Sequence, residues 1–469
     1  MDQIYDVVVV GAGPGGYVGA IRAAQLGMKT AVVEAEKVGG VCVNWGCIPS
    51  KALLHCAEIH DLAAARGRAD CGIRADSLPF DYAAIVDKSR RAAERLSRAI
   101  EGLFRNLKID VLYGAGRLAD GQTVLVTRPG QSTADLQVRG RRILLATGAR
   151  PRQLPGLHMD GQRVMTSWQA LNLREVPRSI AIIGGGAVGV EFASIYASYG
   201  SKVTVVEAEG QAPPYVDEEL AKELERCLAR RGIRFLLGVH CRDVRVTPNG
   251  VEAFVFSSNQ EWRLEDERML VAIGVSPNSE NLGLEELAIE TQRGFVQTKP
   301  GYRTACETVW AVGDLTGLPL LAHAASAEAI LAVESMAGLG DRTINRQAMP
   351  ACIYTQPELG TVGWSEKQAR EKKSDVGVVK VLFAANGKAV ATGQTDGFIK
   401  LIFDKETHAI LGCHIIGDST TELINQMSLA MSANLTVEQV ASAIYAHPTR
   451  AEIIGEVAHA ALGRAVGEM

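Results

Sequence analysis

The chain begins with a pattern of apolar and small residues that predicts a parallel β-sheet with a crossover helix. The run VVVV at 7–10 leads into GAGPGG at 11–16, then into an Ala-rich stretch to about Leu26, and then into AVV at 31–33, which is followed by Glu34. Continuous apolar runs of this length are typical of strands buried on both faces. The stretch between them has the length and composition of a helix that connects two parallel strands.

The same pattern occurs a second time. IAII at 180–183 leads into GGGAVG at 184–189, a helical stretch, and then VTVV at 203–206 followed by Glu207. The first glycine and the acidic residue are separated by the same number of positions in both copies. A second pair of segments also matches, because ILLATGARP at 143–151 and MLVAIGVSP at 269–277 each run from a strand into a glycine and then a proline. The chain therefore contains one structural unit twice.

Each copy predicts a dinucleotide site. A lone GxGxxG is a frequent chance match, but here each glycine run follows a strand, opens a helix and has an acid at the right distance. The glycines let the backbone approach a pyrophosphate at the helix N-terminus, and the acid accepts hydrogen bonds from ribose hydroxyls. The alternative, two strand–turn–helix units without a ligand, is the weaker one in this doubled context. Glu207 would repel a 2′-phosphate, and no Arg or Lys lies at 208–211, so the second site favours NAD over NADP.

Length and composition limit the classes of function. A chain of 469 residues is too long for one ordinary domain, and 47% hydrophobic with 22% charged residues is typical of globular proteins. The net charge of −4 gives no argument for binding nucleic acid or an anionic membrane. No run approaches the roughly 20 apolar residues of a membrane span, and the N-terminus lacks the features of a leader peptide. We therefore expect a cytoplasmic protein, or a chain that has already been processed.

The nine cysteines are too few for a disulfide scaffold at this length. Seven are expected to be small buried residues without a redox role: Cys56, Cys71, Cys227, Cys241, Cys306, Cys352 and Cys413. Cys42 and Cys47 are the exceptions, since they lie five positions apart in GGVCVNWGCIPSK at 39–51. On a regular helix they would point about 140° apart with a rise of ~7.5 Å. If they bond, the 44–46 segment must leave helical geometry, which Gly46 makes easy; two free thiols in a loop are the alternative.

The segment 39–51 resembles the redox motif of the pyridine nucleotide–disulfide oxidoreductases, which are FAD-containing homodimers. ATG at 146–148, VWAVGD ending at Asp314 and LLAH at 320–323 are similar to further FAD segments of that family. The resemblance implies that Cys42 and Cys47 form a redox-active disulfide. It implies that Cys47 lies against the flavin as a charge-transfer thiolate, and that Cys42 exchanges with substrate. It also implies that Lys51 lies near the flavin and pairs with Glu191.

The resemblance and the glycine motifs together give the expected cofactor contacts. The FAD contacts are Gly11, Gly13, Gly16, Glu34, Cys42, Lys51, Gly116, Thr147, Gly148, Asp314, Leu321, Ala322 and His323. The NAD contacts are Gly184, Gly186, Ala187, Val188, Gly189, Glu191, Glu207 and Gly274. No metal site is predicted.

A histidine near the C-terminus completes the expected catalytic set. HPTRAE, from His447 to Glu452, is similar to the family's active-site base and its orienting glutamate. A dithiol attacks only as a thiolate, and a histidine can take that proton and return it. In the family this histidine reaches the cysteines of the other subunit, so the resemblance implies a catalytic homodimer. The remaining histidines outside LLAH are left without a role: His55, His60, His158, His240, His408, His414 and His459.

Within the family, the C-terminal segments at 353–363, 386–400 and 460–467 are most similar to the dihydrolipoamide dehydrogenases. Glutathione reductases usually carry basic residues where Glu207 stands, mercuric reductases carry a C-terminal cysteine pair, and soluble transhydrogenases lack the redox cysteines. Two departures concern the nucleotide domain, namely the less apolar start of the 209–214 segment and Cys241, where these enzymes commonly have valine. The alternative is an NADH-dependent reductase of another disulfide.

These inferences combine into one expectation. The fold class is α/β, with two Rossmann-like domains, for FAD and NAD, and a C-terminal α+β interface domain. The expected domains are 1–150 (FAD), 151–272 (NAD), 273–348 (central) and 349–469 (interface), and the Arg-rich stretch 88–108 is an amphipathic helix with a solvated face. Electrons pass from dihydrolipoamide through the disulfide and FAD to NAD. Because no lipoyl domain precedes the first glycine motif, the lipoyl group is expected on another chain, such as a 2-oxo-acid dehydrogenase complex, a glycine-cleavage system or another carrier.

Overall fold

The computed structural model describes residues 4–64, 79–154, 157, 159–258 and 260–464. The chain divides into two compact units. The first comprises residues 1–52, 83–152 and 274–344, and the second comprises residues 53–82, 153–273 and 345–469. The predicted domain boundaries at 150, 272 and 348 stay a prediction.

The described residues form strands and helices throughout both units. The strands are β1 (Ile4–Val10), β2 (Thr30–Glu34), β3 (Asp110–Tyr113), β4 (Ala115–Asp120), β5 (Thr123–Thr127), β6 (Leu136–Leu145), β7 (Ala149–Pro151), β8 (Val164–Met165), β9 (Ser179–Ile183), β10 (Lys202–Glu207), β11 (Arg234–Leu237), β12 (His240–Thr247), β13 (Gly250–Phe256), β14 (Glu261–Asp266), β15 (Arg268–Val271), β16 (Val275–Pro277), β17 (Thr291–Gln292), β18 (Phe295–Val296), β19 (Val309–Ala311), β20 (Ala351–Ile353), β21 (Glu358–Gly363), β22 (Val376–Leu382), β23 (Phe398–Asp404) and β24 (Ile410–Gly417). The α-helices are α1 (Pro14–Gln25), α2 (Gly40–Trp45), α3 (Cys47–Ala63), α4 (Tyr82–Asn106), α5 (Ser167–Ala170), α6 (Ala187–Ser198), α7 (Glu218–Arg230), α8 (Ala322–Met336), α9 (Glu366–Lys372), α10 (Gly387–Thr392), α11 (Thr420–Ser432), α12 (Val437–Ala441) and α13 (Glu452–Ala461).

The first unit is built on a sheet with strand order β3-β2-β1-β6-β5-β4. Strands β1, β2, β3 and β6 are parallel, and β19 pairs with the C-terminal half of β6 while β5 pairs with its N-terminal half. Alternate residues of β1 face two separate cores, with Val7 and Val9 in one and Val8 and Val10 in the other. This burial on both faces explains why the strand reads as an unbroken apolar run.

The second unit contains a parallel sheet with strand order β11-β10-β9-β15-β8. Strand β9, which precedes the second glycine run, lies between the strand that ends at Glu207 and the returning strand β15. Strand β1 occupies the same place between β2 and β6. The internal repeat predicted from the sequence is thus a repeat of topology. An antiparallel meander, β12-β13-β14, follows β11 in the chain.

The C-terminal region forms an antiparallel sheet with strand order β20-β21-β24-β23-β22. Every residue of β23 and β24 is buried, and the apolar side chains of α11 and α13 belong to the same core cluster as those of the sheet. This confirms the predicted fold class, α/β with a C-terminal α+β domain.

The Arg-rich stretch predicted at 88–108 lies in α4, a helix of 25 residues. Its buried residues recur every three or four positions, at Val86, Ser89, Ala93, Ser97, Ile100 and Phe104. The charged side chains occupy the opposite face, as expected of an amphipathic helix. Among the described helices, none is both long and apolar enough to cross a bilayer.

Candidate active site

The first glycine turn brings backbone atoms so close together that its glycines cannot carry side chains. Gly11 has a φ of +97°, and its N–H donates to Val33 O at 2.8 Å. A Cβ on Gly11 would lie 2.4 Å from Ala146 O, and a Cβ on Gly16 would lie 1.8 Å from Gly11 O. Both distances are far below contact, so only glycine permits this turn. Gly13 is the N-cap of α1 and offers no side-chain acceptor to the helix N-terminus.

The second glycine turn repeats this geometry in the second unit. Gly184 has a φ of +106°, and its N–H donates to Val206 O at 2.8 Å. A Cβ on Gly184 would lie 2.4 Å from Ala272 O, and a Cβ on Gly189 would lie 1.9 Å from Gly184 O. Gly186 is the N-cap of α6. Both turns therefore present helix N-terminal amides, which are suited to the pyrophosphate of a dinucleotide.

The two acids of the repeat hold the glycine turns through hydrogen bonds with the backbone. Glu34 is buried, and its carboxylate accepts from Ala12 N at 2.6 Å and from Glu36 N at 2.8 Å. Burial raises the pKa of Glu34, while these N–H groups lower it. Glu207 accepts from Gly185 N at 2.6 Å and from Glu209 N at 3.0 Å. The spacing of the motif predicted the ribose contact, but this backbone role was not predicted.

A pair of glycines places the redox segment on the first glycine turn. Gly39 has a φ of +103°, and its N–H donates to Ala12 O at 2.8 Å. Gly40 has a φ of +59°, and a Cβ there would lie 2.5 Å from the Cα of Gly13. The backbone of α2 therefore begins in direct contact with the turn. The cysteine motif and the first dinucleotide site form one structure.

Cys42 and Cys47 lie on two helices that break at Gly46. Helix α2 ends at Trp45, Gly46 has non-helical dihedrals (φ −144°, ψ −110°), and α3 begins at Cys47. This confirms that the segment leaves helical geometry, with the departure at Gly46. The side chains of Cys42 and Cys47 lie within hydrogen-bonding reach of each other.

The environment of the pair keeps the proton on Cys42. The hydrogen bond to Cys47 is the largest cause that raises the pKa of Cys42 far above that of an ordinary thiol, followed by burial and the charge of Cys47. Lys51 and the N–H of Cys47 act in the opposite direction. Taken together, these contacts favour the protonated form of Cys42 in the reduced pair.

Two residues that the sequence did not single out support this segment. Arg90 on α4 donates from Nη1 to Asn44 O at 2.7 Å, and the Asn44 amide donates to Val38 O and Gly40 O, both at 3.1 Å. Tyr17 on α1 has a raised pKa because of burial and the nearby charges of Cys42 and Cys47. Neither belongs to a recognisable motif, so only the three-dimensional structure reveals them.

The ends of the two matching segments, residues 149–151 and 275–277, lie side by side in the first unit. Strands β7 and β16 pair antiparallel, with Ala149 opposite Pro277. Asn278 joins the two segments, since its Nδ2 donates to Thr147 O at 2.9 Å and its carbonyl accepts from Thr147 Oγ1 at 2.8 Å. Gly148 and Gly274 have φ values of +68° and +98°, and a Cβ on either would meet no atom of the described residues within 4 Å. The two segments that match in sequence therefore also contact each other.

Asp314 provides a test of whether the first unit fits FAD. Its carboxyl has a pKa raised from 3.8 to about 6, and burial is the only cause. A desolvated carboxylate without a compensating charge is suited to accept hydrogen bonds from hydroxyl groups of a bound ligand. Together with the glycine turn and its acid, this site fits a dinucleotide with a hydroxyl-rich chain, as FAD has.

The other expected FAD contacts lie on two elements of the first unit, α8 and β4. Leu321 is the N-cap of α8, Ala322 is its first residue, and His323 is exposed beside them. Gly116 lies on β4, where a Cβ would be 3.0 Å from Val10 and 3.1 Å from Val33 side-chain atoms. Close packing beneath the sheet is therefore a sufficient reason for glycine at 116. Contact of these residues with FAD stays a prediction.

In the second unit, Glu191 and Val188 lie on α6 in different surroundings. Glu191 is buried and accepts from Tyr354 N at 3.1 Å through Oε1. Val188 is 45% exposed at the start of the helix. Glu191 therefore has a partner in its own unit, and its expected pairing with Lys51 stays a prediction.

His447 and Glu452 are joined as expected of a general base and its orienting acid. His447 Nδ1 lies 2.8 Å from Glu452 Oε1, and Thr449 N donates to Glu452 Oε2 at 2.7 Å. These two contacts, the Thr449 N–H first, hold the pKa of Glu452 below its usual value. The His447 side chain is 79% exposed, so its other ring nitrogen is open to a reactant. Ile444, three positions earlier, is 100% exposed.

The remaining cysteines and histidines occupy structural surroundings where they are described. Cys227 and Cys413 are buried, and Cys56, Cys241, Cys306 and Cys352 are partly buried. Burial raises the pKa of Cys241 on β12 to about 11. His414 is buried with Nε2 2.9 Å from Trp364 O, and His408 pairs with Glu438. Cys71 and His158 lie outside the described residues.

Comparisons with known proteins agree with this geometry. Residues 5–329 match the family described as pyridine nucleotide-disulphide oxidoreductase, and residues 349–458 match the dimerisation domain of that family. A dihydrolipoyl dehydrogenase of Chlorobaculum tepidum is 42% identical over 98% of this chain and 97% of its own, and one of Bacillus subtilis is 39% identical over 98% and 99%.

Solved structures show the same fold. LpdA of Mycobacterium tuberculosis matches with a TM-score of 0.90 and 26% identity over 97% of this chain and 99% of its own. The Cu(II) complex of RclA of Escherichia coli, a HOCl-induced flavoprotein disulfide reductase, matches with a TM-score of 0.86 and 28% identity over 98% and 99%. The expected family and the expected use of FAD and NAD are thereby confirmed. The chain belongs to the pyridine nucleotide–disulphide oxidoreductase family and carries the dimerisation domain of that family.

Proposed function

We propose that this chain is a dihydrolipoyl dehydrogenase, which oxidises the dihydrolipoyl group of a partner protein at Cys42 and Cys47 and reduces NAD+. The observation that carries the proposal is the cysteine pair on either side of the break at Gly46, in a segment whose backbone lies directly on the first glycine turn. The names of the full-length relatives support this choice of substrate.

The cysteines perform a two-step exchange with the substrate. In the oxidised enzyme, a substrate thiolate attacks Cys42 Sγ, the Cys42–Cys47 bond breaks, and Cys47 takes the electron pair as a thiolate. The second substrate sulfur then attacks the mixed disulfide, which releases the oxidised lipoyl group and leaves Cys42 as a thiol. Bound FAD supplies the chemistry that passes this electron pair to NAD+. Lys51 favours negative charge at the pair.

His447 moves the proton that this exchange requires. The Glu452 carboxylate, kept ionised by its lowered pKa, accepts a hydrogen bond from Nδ1–H of His447 and so leaves Nε2 as the basic nitrogen. Nε2 then takes the proton from the substrate thiol, which makes it a nucleophile. The same nitrogen passes this proton to Cys42 Sγ as that sulfur leaves the mixed disulfide, and the proton of the second substrate thiol then remains on Nε2.

Replacing Glu452 tests this arrangement. Glu452→Gln removes the acceptor that fixes the imidazole, and we expect kcat to fall about 10- to 100-fold while NAD+ binding is unchanged. Glu438→Gln is the matched control, because Glu438 pairs with His408 in the same unit and has a pKa lowered to about 2 by that histidine. Equal activities of the two variants in steady-state assays would contradict the role of Glu452.

We propose that the catalytic unit is a homodimer in which His447 serves the cysteines of the partner subunit. The dimerisation domain, the exposure of His447 and the exposure of Ile444 and Leu429, 100% and 70%, support this arrangement. A heterodimer of Cys47→Ser and His447→Gln subunits then regains one intact site, whereas both homodimers are inactive. If His447 acted on its own subunit's cysteines, the heterodimer would have no activity.

The decisive measurement is anaerobic. Adding dihydrolipoamide to the oxidised yellow protein should produce long-wavelength absorbance, and NAD+ should then yield NADH; Cys47→Ser should show neither. Reduction by NADH, but not by dihydrolipoamide, would refute the substrate and leave the alternative of another disulfide.

The lipoyl group is expected on a separate chain. Lipoylated domains from a 2-oxo-acid dehydrogenase complex and from a glycine-cleavage system can be compared as substrates by kcat/KM. The domain that exceeds free dihydrolipoamide identifies the class of partner, and no difference among the three would speak against a dedicated carrier.

A further inference from the structure

A tyrosine hydroxyl occupies the N-terminus of the second nucleotide-binding helix. Ala187 is the first residue of α6, and its N–H donates to the hydroxyl oxygen of Tyr215 at 2.9 Å. The ring also passes over the glycine turn, since a Cβ on Gly186 would lie 3.8 Å from Tyr215 Cε1. A pyrophosphate at this turn needs the same N–H group, because the amides of the first helical turn are its donors.

The Tyr215 side chain is held by the hydrogen bond of its hydroxyl group and not by burial. Tyr215 is 63% exposed, so leaving the turn would uncover little additional apolar surface. The loop that carries it is fixed on both sides. Gln211 Nε2 donates to Pro213 O and Val216 O, both at 3.1 Å, and Ala212 N donates to Glu225 at 2.8 Å. Tyr215 can therefore rotate away from the turn without unfolding its loop.

We propose that Tyr215 is a gate of the NAD site, closed when its hydroxyl accepts from Ala187 N and open when NAD+ takes that hydrogen bond. The proposal rests on NAD binding at the second glycine turn and does not depend on the identity of the disulfide substrate. In the closed state the tyrosine competes with the pyrophosphate for one donor. The apparent affinity for NAD+ is reduced by the fraction of molecules that are closed.

Removing the hydroxyl should favour the open state. Tyr215→Phe keeps the ring and deletes the acceptor, so the closed state loses one hydrogen bond. Such a bond shifts an equilibrium about 2- to 10-fold, and we expect the dissociation constant of NAD+ to fall by about this factor. The association rate should rise correspondingly, because fewer molecules must open before binding.

Titration calorimetry of the oxidised holoenzyme tests the gate without any turnover. NAD+ and ADP-ribose both carry the pyrophosphate, and both should bind Tyr215→Phe more tightly by the same factor, whereas adenosine should bind equally to variant and wild type. Tyr5→Phe is the control, because it deletes a tyrosine hydroxyl that donates to Asp110 in the first unit. It should leave all three affinities unchanged.

Two results would overturn the proposal. Unchanged or weaker binding of NAD+ by Tyr215→Phe would show that the hydroxyl does not compete with the nucleotide. Tighter binding of adenosine by the same factor would show that the tyrosine obstructs the nucleoside and not the pyrophosphate. If the wild type bound neither NAD+ nor ADP-ribose, the assignment of the NAD site itself would be refuted.

Discussion

The two glycine turns of this chain have nearly the same backbone and differ in what lies over them. In each turn the first glycine donates to a valine carbonyl at 2.8 Å, and the acid accepts from the next N–H at 2.6 Å. Over the first turn lies the backbone of Gly39 and Gly40, which leads directly to the cysteines. Over the second lies the exposed side chain of Tyr215.

The two turns also differ at the first residue of the helix that follows each of them. Pro14 begins α1 and has no N–H, whereas Ala187 begins α6 and donates to Tyr215. One residue later, Gly15 is buried, and a Cβ there would lie 3.1 Å from a Val312 side-chain atom, but Val188 is 45% exposed. The first site is thus built into the core, as suits a cofactor that stays. The second is open at its mouth, as suits a nucleotide that binds and leaves at each turnover.

The largest expected effect comes from adding one methyl group to either glycine turn, which should abolish the binding of one nucleotide and leave the other unaffected. An alanine Cβ at 16 or 189 would lie 1.8 or 1.9 Å from a carbonyl oxygen of the same turn. Overpacking costs about 1–3 kcal/mol where the neighbouring atoms can move. Here the neighbour is the backbone of the turn, which cannot move aside, so we expect nucleotide binding at that turn to weaken about 100-fold or more. Gly16→Ala should be purified without FAD, whereas Gly189→Ala should remain yellow and lose NAD+ binding in calorimetry.

Gly387→Ala is the control for these glycine variants, since no atom of the described residues lies within 4 Å of its Cβ position. It should be yellow and fully active. A Gly189→Ala protein that lost FAD but kept NAD+ affinity would contradict the assignment of the two turns.

A smaller effect concerns Asp314, a partly buried residue that is expected to contact FAD. Because its pKa is raised to about 6, the protonated form adds stability to the apoprotein that is fully present below 3.8 and lost as the pH rises through about 6. Asp314→Asn should therefore abolish this part of the fall in apoprotein melting temperature between pH 4 and pH 7. It should also release FAD roughly 10-fold faster at pH 7.5, because an amide is the weaker acceptor. An unchanged pH dependence of the melting temperature would exclude Asp314 as its source.

The features that the sequence predicted are those encoded by local pattern. The doubled strand–glycine–helix–acid unit follows from residue types at fixed short spacings. The break near Gly46 is expected if Cys42 and Cys47 bond, and the His447–Glu452 pair is implied by the resemblance of HPTRAE to a family motif. The structure contains all three. The supporting residues could not be found in this way. Tyr215, Arg90 and the pairing of β7 with β16 depend on contacts between segments far apart in the chain, and an exposed tyrosine or an arginine on an amphipathic helix has no distinguishing pattern.

An effect of similar size tests whether the acid of the second turn acts through its charge or through the backbone that it fixes. Glu207→Gln keeps the shape of the side chain, but an amide nitrogen then faces one of the two N–H donors, Gly185 N or Glu209 N. Losing one hydrogen bond to a charged acceptor costs about 1–2 kcal/mol, so the KM for NAD+ should rise about 5- to 30-fold while FAD content is unchanged. Steady-state titration with NADP+ distinguishes the two roles. If charge alone excludes the 2′-phosphate, the KM for NADP+ should fall in the variant, whereas a disordered turn would raise the KM for both nucleotides. A rise in the KM for NADP+ would therefore show that the acid serves mainly to hold the turn.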